Sequence, residues 1–264
     1  MSQALPTSLD ADYFTGLYRK YAGDLTRVRA AQAELYQSFG YLPVKDAPLP
    51  QKLLASARRA QSYLTRGAIL KPQLDDIEAE LTYLWLRESR PRTVVEISPC
   101  GGWSSTWILH ALADNRQGEL YSFDMIDASE RNVPRELAQG RRHFFLGRVQ
   151  DNLDHLPTEI DYAFIDSDHS AKFAHWYIEN IFSRLKPGTP VSVHDVFHTP
   201  DPAGFDSEGG VVISWLDDNR IPYFTASPTR APGAHRPVSE TKRTLKLDAK
   251  IHRAENNSMI FFRR

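Results

Sequence analysis

The sequence predicts an α/β fold: a doubly wound, mostly parallel seven-stranded sheet with an antiparallel edge strand, carrying an N-terminal helical appendage. Three observations predict it. Short β-branched or aromatic runs alternate with helix-period stretches from residue 93 to about 222. The runs stand too far apart for hairpins, and parallel neighbours need that long return path, closed by right-handed crossovers. After residue 222 the alternation gives way to extended pieces, as expected where an antiparallel strand edges a parallel sheet.

The elements follow in order. Residues 1–72 read as the appendage, because Leu25, Val28, Ala31, Leu35 and Phe39 recur near helical spacing before the proline-bearing break YLPVKDAPLP. Its aromatics Tyr13, Phe14, Tyr18, Tyr21, Tyr36, Phe39, Tyr41 and Tyr63 suit either core packing or a lid or dimer surface. Residues 73–264 form the core. Leu74, Ile77, Leu81, Leu84 and Trp85 mark a helix that ends before Pro91. TVVEIS (93–98), ELYSFDMI (119–126), HFFLGRV (143–149), YAFID (162–166) and PVSVHDV (190–196) read as strands, separated by helices at 104–116 and 171–185. Residues 211–219 read as a helix and PYFTAS as a strand. LKLDAKI (245–251) and MIFF are expected to form a terminal hairpin around Asn256 and Asn257. Between residues 226 and 257 seven Lys or Arg face three Asp or Glu, which reads as a solvated loop or as a contact for an anionic ligand. His175, Trp107, Trp176 and Trp215 read as packing residues.

Composition narrows the function. The 264 residues are 41% hydrophobic and 25% charged, a globular balance with ample apolar material for a core. A net charge of −1 offers no field for a phosphate backbone or an anionic bilayer, so nucleic-acid and membrane partners are not expected. Cys100 is the single cysteine and cannot form an internal disulfide. With no basic-then-apolar leader and no run near the ~18 apolar residues of a membrane span, a cytoplasmic protein with a small-molecule substrate is expected. A homo-oligomer stays open.

In open α/β sheets ligands bind at the carboxyl ends of the strands, near the point where strand order reverses, so the loop after TVVEIS carries most weight. It reads Glu96-Ile-Ser-Pro-Cys-Gly-Gly-Trp-Ser-Ser105. Gly101 and Gly102 remove two Cβ atoms ahead of a helix N-terminus, where free amides favour an anion, and Ser104 and Ser105 are capping residue types. Asp124 ends the next strand 22 residues after Gly102, where an acid meets a nucleoside ribose. The glycines also suit a plain tight turn with Asp124 as a local cap. A dinucleotide would need G-x-G-x-x-G; that pattern is absent, and Pro99, Cys100 and Trp103 crowd the space of a pyrophosphate. S-adenosylmethionine, with a ribose and adenine but only an amino-acid carboxylate in place of the pyrophosphate, suits the fuller loop.

VVEISPCGGWSS, YSFDM, VQDNLDHLP, DYAFIDSDHS and LKPGTPVSVHDV together resemble the class I S-adenosylmethionine-dependent methyltransferases over residues 93 to about 222. FIDSDHS and VHDV are similar to the metal-associated O-methyltransferases of bacterial secondary metabolism, including the macrolide-sugar type. The resemblance implies that Glu96 lies beneath the methionine amine and that Ser98, Pro99, Gly101, Gly102, Trp103 and Ser104 surround its carboxylate. It gives Asp124 the ribose hydroxyls and Asp151 with Asn152 the adenine edge, with Asp166 beside the cofactor. Ser98 departs from the pattern, which has glycine two residues after the acid.

Two strand ends carry a second cluster: Asp166, Asp168 and His169 after one, His194, Asp195 and His198 after the next. Carboxylates with imidazoles suit Mg²⁺, Mn²⁺, Fe²⁺ or Zn²⁺, so a divalent metal is a candidate cofactor. The residues also suit a plainer role, Asp168 as a helix cap and the histidines as packing groups. The resemblance assigns metal to Asp166, His194 and Asp195, with His198 four residues on. A histidine at 194, where that type carries an acid, shifts the expectation from Mg²⁺ toward a transition metal. His169 is the expected general base, removing the proton of an acceptor hydroxyl on a sugar, polyketide or phenol. Two further readings stay open: metal-dependent chemistry without a methyl donor, and a methyltransferase-like binding protein without catalysis.

Overall fold

The computed structural model describes residues 9–38, 72, 74–197, 207–251 and 258–264. Seven strands form one sheet: β1 (Thr93–Ile97), β2 (Glu119–Asp124), β3 (Arg142–Leu146), β4 (Tyr162–Ile165), β5 (Pro190–Val193), β6 (Tyr223–Phe224) and β7 (Ile260–Arg263), in the order β3-β2-β1-β4-β5-β7-β6. The first five pair in parallel, and β7 runs antiparallel to both β5 and β6. The chain winds outward from β1 to β3 and then returns to place β4 beside β1. The order therefore reverses between β1 and β4, and the loops leaving those two strands flank the switch point.

Alternation along the strands supplies both faces of the sheet. Val94, Leu120, Phe164 and Phe261 point to one side, under α1 (Ala11–Lys20), α2 (Ala22–Ser38), α3 (Asp76–Ser89) and α4 (Trp103–Asn115). Two short helices, α5 (Ala128–Asn132) and α6 (Arg135–Ala138), lead into β3. Val95, Ile97, Phe123, Ile165 and Val193 point to the other side, under α7 (Ala171–Asn180) and α8 (Glu208–Asp218). A last helix, α9 (Pro232–Thr244), contributes Val238 to the first layer. Fully burying each such side chain is worth roughly 1.5–3 kcal/mol.

The first turn of α3 is closed by a capping box: the Asp75 carboxylate accepts the N–H groups of Ile77 and Glu78, and Glu78 accepts that of Asp75 at 3.0 Å. Helices α1 and α2 add Phe14, Leu17, Tyr18, Leu25 and Val28 to the layer that holds Trp85 and Trp107. Between them lies a buried polar knot. The Tyr18 hydroxyl donates to Glu80 at 2.7 Å, Lys242 reaches the same carboxylate at 2.8 Å, and Arg29 also pairs with it. Arg29 further stands 3.8 Å from Asp76.

Four expectations are corrected. Residues 245–251 form no strand: Leu247 is buried and Leu245 and Ile251 pack on the first layer, so their alternation serves packing rather than pairing. The hairpin partner of β7 is β6, with α9 between them in sequence. The basic stretch expected as a loop holds α9, which has proline in its first turn and Lys242 and Arg243 in its last. The helix expected over 171–185 ends at Asn180 and is followed by a 3₁₀ turn. His175 is exposed rather than packed, while Trp107 is buried. Phe39, Tyr41, Tyr63 and the break at 41–50 lie outside the described residues, as does the turn at Asn256 and Asn257.

Candidate functional site

The loop leaving β1 turns on three left-handed residues, Ser98 (φ 62°), Cys100 (φ 50°) and Gly102 (φ 92°). Ser98 thus adopts the conformation that glycine would hold with less strain. At Gly102 the glycine is required on two counts: its φ, and the 2.7 Å that would separate a Cβ from Val133 Cγ2. Pro99 accepts the Gly102 N–H through its carbonyl at 2.7 Å, and the Gly101 carbonyl accepts from Asn132 at 2.9 Å. Cys100 is no nucleophile, since burial, with Asp124 and Asp166 nearby, pushes its thiol up to about 12.

Asp124 ties this loop to β2. One oxygen accepts the Cys100 N–H at 2.7 Å and the other that of Ile126 at 3.1 Å. Burial pushes the carboxyl up to about 7, against the pull of the backbone N–H groups of Cys100, Ile126 and Met125 and with a further push from Glu96. Across the switch point Ser98 Oγ lies 3.3 Å from Ser167 Oγ, so the loops after β1 and β4 meet.

Glu96 departs from its expected role. Its carboxylate accepts the hydroxyls of Ser104 at 2.6 Å, Ser105 at 2.7 Å and Ser122 at 2.7 Å, and its exposure is 0%, which leaves no surface for a ligand. Ser104 and Ser105 consequently do not cap α4; the cap position is Gly102, and the two hydroxyls fasten the first turn onto β1. Trp103 is buried against Tyr36 and Trp107. Asp151 pairs with Arg148 through two hydrogen bonds of 2.8 and 2.9 Å at the surface, and Asn152 donates to the Arg148 carbonyl. The loop core, Asp124 and Asp166 come together; Asp151 and Asn152 are held by their own local turn.

The strand-end cluster assembles differently from its expected set. Asp166, His169 and Asp195 form the group whose ligand atoms converge, with His169 Nε2 3.8 Å from Asp166 and 3.6 Å from Asp195. His194 is buried, and its two ring nitrogens face two carboxylates, Asp166 at 3.1 Å and Glu78 at 3.3 Å. Burial alone would lower its proton affinity, but Asp166 and Glu78 outweigh that and hold it well above the ordinary histidine value. The converging group thus holds His169 where His194 was expected, and both ring nitrogens of His194 face carboxylates. His198 lies outside the described residues. Asp168 accepts the Ser170 N–H, and Ser170 rather than Asp168 caps α7.

Two acids escaped the sequence reading. Glu208 opens α8 and accepts from His169 Nδ1 at 2.8 Å and from the Tyr177 hydroxyl at 3.0 Å. It fixes the imidazole with Nε2 toward the carboxylates. Burial opposes the charged ring, yet Glu208, Asp166 and Asp195 prevail and raise His169 above the ordinary value. His169 (φ 52°) and Asp195 (φ 56°) both adopt left-handed backbone, a strain that clusters at functional sites. Glu78, the second omission, belongs to the capping box of α3.

Residues 95–196 match the family model described as a methyltransferase domain. No curated protein matches the chain. Among solved structures, the O-methyltransferase from Bacillus cereus in complex with SAH is similar at 14% identity, covering 87% of this chain and 100% of that one with a TM-score of 0.51. The SAH-bound methyltransferase PaMTH1 of Podospora anserina is similar at 15% identity, covering 85% and 94%, with a TM-score of 0.50. At these identities the structures establish a shared fold, and the family match lies on the segment that builds the switch-point loops. Residues 95–196 thus resemble a methyltransferase domain, and the fold around them is the one these methyltransferases share.

Proposed function

We propose that the protein is an S-adenosylmethionine-dependent O-methyltransferase that acts on a hydroxyl of a small molecule. The observation that carries this reading is the Asp124–Cys100 clasp: an acid at the end of β2 faces the glycine-bearing turn after β1, at the switch point of a methyltransferase-family sheet. A ribose diol donates to such a carboxylate, and the turn leaves room for an amino-acid carboxylate near the N-terminus of α4. The relatives solved with SAH support the same cofactor.

When bound, S-adenosylmethionine supplies a methyl group on a sulfonium, an electrophile that needs no acid. The chain aligns the acceptor in line with that methyl, a contribution that reaches ~7–11 kcal/mol in the best intramolecular cases. His169, oriented by Glu208, takes the hydroxyl proton at Nε2, worth roughly 10²–10⁴-fold. Asp166 and Asp195 are the residues that would hold a divalent ion, which lowers the pKa of a bound hydroxyl. The donor set fits one: the carboxylates of Asp166 and Asp195 converge from two strand ends, and His169 Nε2 beside them keeps the role of base. A cavity of about 520 Å³ is lined by Phe197, Ile213, Tyr223, Phe224 and Arg230 among others, and Phe197 follows Asp195 by two positions in the chain. Among the described residues no helix is long and apolar enough to cross a membrane.

Calorimetry with SAH, followed by methyl transfer from labelled S-adenosylmethionine to a panel of phenols, sugars and polyketides, tests the proposal. Micromolar SAH binding and donor-dependent labelling of an oxygen are expected. No SAH binding at millimolar concentration would overturn it.

A further inference from the structure

The Asp166–Asp195 pair is supported from below by a helix that belongs to neither strand loop. Glu78, in the first turn of α3, is buried to 3% exposure, and each of its oxygens has an assigned contact. Oε2 faces His194 Nε2 at 3.3 Å and accepts the Asp75 N–H at 3.0 Å; Oε1 accepts the Met259 N–H at 3.0 Å. From these contacts two arms run upward. His194 carries the first to Asp166, 3.1 Å from its Nδ1. The second runs along the backbone from Met259 to Ser258, whose hydroxyl donates to Asp195 at 2.6 Å.

We propose that Glu78 is a positioning residue of the reaction centre, fixing Asp166 through His194 and Asp195 through the Ser258–Met259 backbone, so that the first turn of α3 sets the separation of the two acids. Outer partners of this kind orient the groups that touch a ligand, and their loss typically costs 10–100-fold in metal affinity or activity. An isolated buried glutamate would be costly to retain, but here three donors compensate it. The contact between residues 78 and 194 spans 116 positions and joins the helix bundle to the strand ends.

The inference rests on the proposed function, and its test separates the two. Mn²⁺ binding by electron paramagnetic resonance and SAH binding by calorimetry are measured on the tag-free wild type, Glu78→Gln, His194→Gln and the double variant, beside their thermal midpoints. Glu78→Gln preserves volume and an oxygen for Met259. It is expected to bind Mn²⁺ 10–100-fold more weakly than the wild type while its SAH affinity stays within threefold, and the double variant is expected to be no worse than His194→Gln alone. A merely structural role would instead lower the midpoint and both affinities together, with the two substitutions adding. Should Glu78→Gln fail to fold, His194→Gln and Ser258→Ala cut the two arms separately, and each must weaken Mn²⁺ binding at least fivefold. A wild type that binds SAH and Mn²⁺, beside variants that hold Mn²⁺ as tightly, overturns the inference alone. A wild type that takes up neither ligand overturns the functional reading and the inference with it.

Discussion

The carboxylate of Asp124 accepts the backbone N–H of Cys100 at 2.7 Å, so the acid that ends the second strand shapes the turn that follows the first. Its proton has consequences on both sides of binding. The buried carboxyl titrates at about 7, against 3.8 for an ordinary aspartate, so between these values the native protein holds a proton that the unfolded chain has released. The stability owed to this group is fully present below pH ~3.8 and is lost as the pH rises through 7. A cofactor whose ribose hydroxyls donate to Asp124 selects the charged form. SAH affinity is therefore expected to rise up to about fivefold from pH 6 to 7 and about tenfold by pH 8, then to level off, with proton release at pH 6 detected by calorimetry in buffers of different ionisation heat. Asp124→Ala should weaken SAH by at least tenfold.

Gly102→Ala forces a side chain into left-handed backbone and places its Cβ 2.7 Å from Val133. A destabilisation of about 1–3 kcal/mol in urea unfolding is expected, with weaker SAH binding because the turn must shift. Ser98 presents the converse case. Ser98→Gly relieves left-handed strain and should leave stability within about 1 kcal/mol of wild type, whereas Ser98→Val should cost more than 1 kcal/mol.

Glu208 holds His169 Nδ1 at 2.8 Å, and Glu208→Gln removes the charge while leaving the shape. Turnover at saturating donor should fall about 10–100-fold with SAH affinity unchanged, since Glu208 touches the imidazole and not the cofactor turn. Equal turnover in this variant would remove His169 from the role of an oriented base.

Glu80 compensates two buried cations, Arg29 and Lys242, and accepts the Tyr18 hydroxyl. Glu80→Gln removes the carboxylate that Lys242 and Arg29 share, leaving Arg29 only Asp76 at 3.8 Å, and should cost about 3–5 kcal/mol, read as a lowered urea midpoint. Tyr18→Phe, which removes one donor but no charge, should cost about 0.5–1.5 kcal/mol.

The parallel strands were legible because Val, Ile and Phe alternate with helix-period stretches, and the strand ends gather Asp124, Asp166, His169 and Asp195 at one edge of the sheet, while the metal assignment of Asp166 and Asp195 rests on the family resemblance. The terminal pairing was not legible. Seven residues at 245–251 alternate like a strand, yet packing against the first layer claims their apolar side chains, and β6 supplies the partner of β7. The resemblance makes His194 a ligand; its contact with Glu78, a residue 116 positions earlier, is one that local spacing cannot reveal. Glu78 and Glu208 escaped notice for one reason. Acids in the first turn of a helix are ordinary complements to the macrodipole, so nothing in their immediate sequence marks them as partners of a distant histidine. Glu96 was found but misassigned: its position was readable, whereas the three hydroxyls that enclose it come from two separate elements.

The knot at Glu80 also bears on how this fold diverges. Because a phenol from α1 and a guanidinium from α2 end on a carboxylate deep under the sheet, the leading helices are not an interchangeable cartridge. A chimera that borrowed them from a relative would have to import matching groups to the same depth, or else leave Glu80 with Lys242 as its one remaining partner from this knot.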